Sequence, residues 1–89
     1  MVTAIIQTEV VDFDAWKEIF LADQPNVEKA GAKLVGLYRS LQTPNQVTMI
    51  YEAPNAELYG TLMSDPERQE AIRNSGVIGM PTVTFLTKV

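Results

Sequence analysis

The sequence predicts a single α+β domain, residues 1–89, with element order β-α-β-β-α-β. Three observations carry that reading. Residues 2–11 and 82–89 are β-branched and alternating, as strands require. Trp16, Ile19, Phe20 and Val27 recur at helical spacing between the first strand and residues 34–53, which read as a β-hairpin. The chain also echoes itself: Val11-Asp12-Phe13-Asp14-Ala15 leaves the first strand much as Glu52-Ala53-Pro54-Asn55-Ala56 leaves the third.

The first strand has one apolar face (Val2, Ala4, Ile6, Thr8, Val10) and one mixed face (Thr3, Ile5, Gln7, Glu9, Val11). Asp12 or Asp14 then caps a helix, because a carboxylate accepts the orphan N–H groups of a first turn. Pro25 interrupts the apolar stripe, so a break or kink is expected there before Gly31 closes the segment. In the hairpin, Thr43-Pro44-Asn45-Gln46 has turn chemistry. An even loop pairs Leu41 with Thr48, Arg39 with Ile50 and Leu37 with Glu52. Arg39 and Glu52 then share one face, and Tyr38 and Tyr51 the other. Asn55 caps a second helix with Leu58, Tyr59, Leu62 and Met63 inside. The helix restarts at Ser64-Asp65-Pro66-Glu67, where Ser64 and Glu67 fit a capping box and Pro66 sits in the first turn. Gly76 ends that helix, Gly79-Met80-Pro81 is a turn, and residues 82–89 form the last strand.

Two βαβ halves with right-handed crossovers give a ferredoxin-like, four-stranded antiparallel sheet covered by helices on one face. The other face then carries Ile5, Val11, Leu37, Leu41 and Ile50, enough apolar surface to ask for a partner.

Composition narrows the function. Apolar residues make up 46% of the chain, which suits a globular core. There are no cysteines and no histidines, which removes disulfides, thiolate metal sites, the commonest metal ligand and the commonest general base. No transition metal or other cofactor is expected. A net charge of −4 without a basic cluster argues against a nucleic-acid partner. Neither a signal peptide nor a membrane-spanning run is present, so the expected location is cytoplasmic.

Asp12–Lys17 (D-F-D-A-W-K), Tyr38–Val47 (Y-R-S-L-Q-T-P-N-Q-V), Tyr51-Glu52, Ser64-Asp65-Pro66, Gly76–Pro81 (G-V-I-G-M-P) and Phe85-Leu86 together resemble the small stand-alone proteins of the dimeric α/β-barrel superfamily. That superfamily includes antibiotic-biosynthesis-monooxygenase-like proteins and small polyketide cyclases. The resemblance implies a homodimer whose two sheets pack face to face around a shared interior. It does not transfer a catalytic set. Haem-degrading relatives need an axial histidine, plant-type cyclase relatives use a His–Tyr pair, and this chain has no histidine. Quinone-forming relatives use an Asn/Trp/Arg set, whereas Trp16 lies in the first helix's apolar stripe.

The pocket candidates are Gln7, Glu9, Arg39, Ile50 and Glu52, all expected on the open face. Glu52 or Glu9 can serve as a general base raised by burial, or Arg39 can neutralise one of them as a structural ion pair. Tyr38 and Tyr51 read as cross-strand packing or as phenolic acids, and Trp16 and Phe20 as core. Two functions follow. One is a dimer-barrel pocket for a small apolar or aromatic molecule, with cofactor-free monooxygenase- or cyclase-like chemistry. The other is a non-catalytic homodimer that senses a ligand or mediates an interaction.

Overall fold

A computed structural model describes residues 1–89, the side chain of Met80 excepted. The elements run β1 (Val2–Val10), α1 (Phe13–Ala30), β2 (Lys33–Arg39), β3 (Gln46–Ala53), α2 (Glu57–Met63), α3 (Pro66–Asn74) and β4 (Val77–Thr87). The four strands form one antiparallel sheet in the order β2-β3-β1-β4. This is the ferredoxin-like arrangement that the sequence predicts, with β1 and β3 central. Val47, Met49, Tyr51 and Ala53 of β3 are buried, and so are Ala4, Thr8 and Val10 of β1. With Trp16 and Val27 of α1 and Tyr59 of α2 they make the core. Strand alternation puts Gln7, Glu9, Thr48, Ile50 and Glu52 on the opposite, open face.

α1 begins as expected: the Asp12 Oδ1 accepts from the Asp14 N–H at 3.0 Å and the Ala15 N–H at 3.3 Å. Gly31, at φ 105°, ends it. There the Gly31 N–H reaches the Glu28 carbonyl (3.0 Å) and the Ala32 N–H the Val27 carbonyl (3.2 Å), a Schellman pattern. The break expected at Pro25 does not occur; α1 is one 18-residue helix. Pro25 cannot serve the Leu21 carbonyl one turn earlier, but both residues are exposed, so water can take the donor's place. Beyond the hairpin, Asn55 acts as anticipated, its Oδ1 accepting from the Leu58 N–H at 3.0 Å. The Ser64–Glu67 capping box is not formed. Asp65 caps α3 instead, its Oδ1 taking the Glu67 N–H at 3.0 Å, while the Ser64 hydroxyl donates to the Thr61 carbonyl. Preceding Pro66 pushes Asp65 to extended backbone (ψ 118°), the conformation an N-cap needs. The turn expected at residues 79–81 lies inside β4, where the register against β1 shifts between Gln7 and Glu9.

The hairpin differs most from expectation. The Ser40 N–H bonds the Gln46 carbonyl at 2.9 Å, so the loop is residues 41–45, an odd number. The Ser40 hydroxyl closes it by accepting from the Gln42 and Thr43 N–H groups at 3.2 and 3.0 Å. Arg39 therefore pairs with Val47, Leu37 with Met49 and Tyr38 with Thr48. Changing the loop's parity turns every side chain of a strand to the other face. Leu37 and Arg39 face the helices, and Tyr38 faces the open side, with its ring lying over Gly36. A bulge between Leu34 and Gly36 restores the helix-side position of Leu34 opposite Tyr51.

Candidate functional site

A half-open cavity of about 990 Å³ lies between the helix-covered face of the sheet and α1–α3. Its floor includes Thr8, Met49 and Tyr51. One wall is the aromatic row of α1. Trp16 stacks on Phe20 (centroids 4.7 Å apart, 20° between planes), and Phe20 meets the edge of Tyr51 at 6.4 Å. α2 supplies Tyr59, which packs on Phe85 of β4 at 5.4 Å. The rim holds an ion pair joining α1 to α3, with the Arg68 Nη1 2.6 Å from the Asp23 Oδ2. The Asp23 side chain is 40% exposed, so solvent screens the pair and it contributes roughly 1 kcal/mol or less.

Four hydroxyl-bearing residues line this apolar space, and they are not equivalent; the Ser75 hydroxyl donates to the Ile72 carbonyl at 2.6 Å. The Tyr51 hydroxyl accepts from the Gln24 Nε2 at 3.2 Å, and the same amide reaches the Phe20 carbonyl at 3.1 Å. Burial pushes the Tyr51 phenol up to about 12, against the opposing hydrogen bond from Gln24. Burial also raises the Tyr59 phenol, with the Glu52 carboxylate adding to it. Both phenols are neutral donors at physiological pH. The Tyr59 hydroxyl and the Thr8 Oγ1 are buried and have no hydrogen-bond partner. Burying a polar group without a partner costs free energy, so each is a position where a polar atom from outside is favoured.

The residues singled out from sequence separate into two groups. Gln7, Glu9, Ile50 and Glu52 are on the open face, as expected. Gln7 and Glu9, with Tyr38 and Thr48, border a second, polar space there of about 500 Å³. Gln7 and Glu9 are exposed, and the Gln7 Nε2 to Thr48 Oγ1 contact is a long 3.5 Å. Arg39 is not with them. It borders that space only at the strand end, and its guanidinium sits over the Phe13 ring, 4.0 Å from the centroid, with its Nε on the Pro44 carbonyl at 3.1 Å. Neither Glu9 nor Glu52 pairs with it; among the described residues Asp23–Arg68 is the one ion pair. The buried Arg39–carboxylate pair is thus corrected by the odd loop. The sequence reads Trp16 and Phe20 as core, Tyr51 as cross-strand packing or a phenolic acid, and Tyr59 as the second helix's inner face or the pocket mouth. Trp16, Tyr51 and Tyr59 are core residues with Phe20 packed against them, and all four also wall the cavity. Spacing cannot distinguish an aromatic that fills a core from one that walls a cavity. Among the described residues no three acidic side chains gather as a metal site would require, and no helix is long and apolar enough to cross a membrane.

No family model and no curated protein matches this sequence. Solved structures do. A Bordetella bronchiseptica protein that carries the name antibiotic biosynthesis monooxygenase aligns with a TM-score of 0.81 at 18% identity, covering 99% of this chain and 96% of that one. A Caulobacter crescentus protein of the same name aligns at 0.76 and 14% identity over 99% and 89%. The chain has the ferredoxin-like fold of the antibiotic biosynthesis monooxygenases. The likeness is not confined to proteins of that name: a NIPSNAP domain protein from Burkholderia xenovorans aligns at 0.70 and 16% identity over 100% and 95%. At these identities the monooxygenase-like fold is shared, and function rests on the site.

Proposed function

We propose that the protein binds a small, largely apolar aromatic molecule in the cavity between sheet and helices, and that the Thr8 and Tyr59 hydroxyls hold its polar atoms. The observation that carries this reading is that Thr8 and Tyr59, two residues lining an aromatic-walled space, each carry a buried hydroxyl without a partner. A cavity of about 990 Å³ is large enough for a multi-ring ligand. A neutral phenol at Tyr59 donates well to a ligand carbonyl or hydroxyl oxygen. In a monooxygenase- or cyclase-like reaction without a cofactor, that donation would stabilise negative charge developing on the ligand oxygen.

One observation favours the binding reading over catalysis. The carboxylates at the rim are engaged or exposed: Asp23 with Arg68, Asp65 in capping α3, and Glu67 in solvent. Glu9 and Glu52 lie on the other face of the sheet. Hydrogen-bond donation is therefore better provided for than proton abstraction, which suits a ligand-sensing homodimer. The dimer itself belongs to this proposal. The open face carries half-buried Ile5 and Ile50 and the exposed Tyr38, Ile78 and Leu86, a surface that a second copy would cover.

Binding of naphthalene and 2-acetylnaphthalene, followed through the single tryptophan in the cavity wall, tests the assignment. The wild type should prefer the carbonyl compound. Thr8→Val and Tyr59→Phe should erase most of that preference, about 2–10-fold, the worth of a hydrogen bond. Neither change should destabilise the empty protein, because each removes a polar atom that has no partner. Absence of saturable binding, or an equal preference in all three proteins, would refute the assignment.

A further inference from the structure

Of the three helices that wall the cavity, α3 has the least packing. None of its nine residues is buried, and only Arg68 and Ile72, one turn apart, are even half-buried. Both line the cavity, so α3 docks through a single pair of side chains. A helix this short is marginal in water on its own propensity and is normally held by packing an apolar face. α1 and α2 have that packing: Trp16 and Val27 of α1 and Tyr59 of α2 are buried. α3 has instead the ion pair at the rim, with the Arg68 Nη1 and Nη2 donating to the Asp23 carboxylate at 2.6 and 3.5 Å. Its flanks are held more firmly. The Val11 N–H donates to the Gly76 carbonyl at 2.8 Å, and near the start of α3 the Gln69 Nε2 donates to the Met63 carbonyl of α2 at 2.7 Å. The helix is tethered at both ends and lightly held along its length.

We propose that α3 is a lid over the cavity, swinging at Ser64-Asp65 and Ser75-Gly76, with the Asp23–Arg68 pair as its latch. This rests on the cavity as the ligand site. A half-open space leaves one side of an apolar ligand in water, whereas small-molecule sites bury about 70–90% of their ligand. Closure of α3 supplies the missing cover. The ligand in turn gives Ile72 an apolar surface to rest on, which the empty cavity does not. Elements that move on binding are drawn from the least stable part of a fold, and α3 has the sparse packing that marks such a part. The order of α3 then reports whether the cavity is filled, which is what a ligand sensor requires.

Amide hydrogen exchange followed residue by residue tests this, first on the empty protein. The amides of residues 70–74 in α3 should exchange on the order of 100-fold faster than the central amides of β1 and β3, and should hardly respond to low denaturant, the signature of a local opening. Asp23→Asn should speed them about 2–5-fold, since a screened pair is worth no more. Adding 2-acetylnaphthalene at about ten times its dissociation constant should slow them about tenfold, because an open lid releases the probe. Exchange of residues 70–74 at the rate of the core, with the same response to denaturant, overturns the lid. Unchanged exchange in Asp23→Asn overturns the latch. A probe that binds by the tryptophan signal and leaves residues 70–74 unprotected overturns the lid and leaves the cavity reading standing. If the probe does not bind, the cavity reading falls and takes the lid with it.

Discussion

Arg39 holds its charge over the Phe13 ring at the start of α1, in an exposed position. An exposed cation–π contact is worth roughly 0.5–1 kcal/mol. Chemical denaturation of Arg39→Ala should therefore show a loss of about that size. Adding Glu52→Gln should be additive within about 0.5 kcal/mol, because the two residues occupy opposite faces. A loss of several kcal/mol that shrinks in the double mutant would mean a buried ion pair and a different hairpin register. Tyr51 offers a pH test. Its phenol ionises near 10 in the unfolded chain and is pushed up to about 12 by burial in the folded one. The raised value favours the folded state fully below pH 10, and that contribution is lost as pH rises from about 10 to about 12. Stability measured across that range should fall for the wild type and fall less steeply for Tyr51→Phe. Parallel curves would show that Tyr51 is not the buried phenol.

α1 passes through Pro25 without interruption, and the ring lies on the exposed side. An exposed ring has little packing to lose, while alanine restores the missing N–H. Pro25→Ala should stabilise the protein by about 1–3 kcal/mol in a denaturant titration, less whatever proline contributes by stiffening the unfolded chain. A destabilised variant would mean that the proline shapes α1. The strands show why some of this was legible in the sequence. β1 and β3 alternate cleanly, so the pattern alone puts Gln7, Glu9, Ile50 and Glu52 on the face they occupy. β2 reads Lys-Leu-Val-Gly-Leu-Tyr-Arg, apolar on both sides, so hydrophobic patterning does not fix its register. The Ser40 hydroxyl does so by closing an odd loop, and that is why the even-loop reading puts Arg39 on the wrong face. The cavity was illegible for another reason. Its Tyr and Trp residues obey the periodicity of a core, and only the space between α1, α2 and the sheet shows that Thr8 and Tyr59 lack partners.

The sheet divides the molecule into two surfaces with separate roles in the proposal, ligand on the helix side and a second copy on the open side. With Tyr38 at 60% and Leu86 at 45% exposure, the open face has apolar area to bury, and sedimentation should find a dimer at low micromolar concentration. A stable, folded monomer at that concentration would contradict it. The division of faces is tested most directly by the methyl groups of neighbouring residues that point in opposite directions. Ile6 and Met49 line the cavity, while Ile5 and Ile50, adjacent in sequence, lie on the open face. Isotope-labelled methyl spectra recorded during titration with 2-acetylnaphthalene should show saturable shifts at Ile6 and Met49 with Ile5 and Ile50 nearly still. Shifts concentrated at Ile5 and Ile50, with Ile6 and Met49 unmoved, would place the ligand on the open face and contradict the cavity as the binding site.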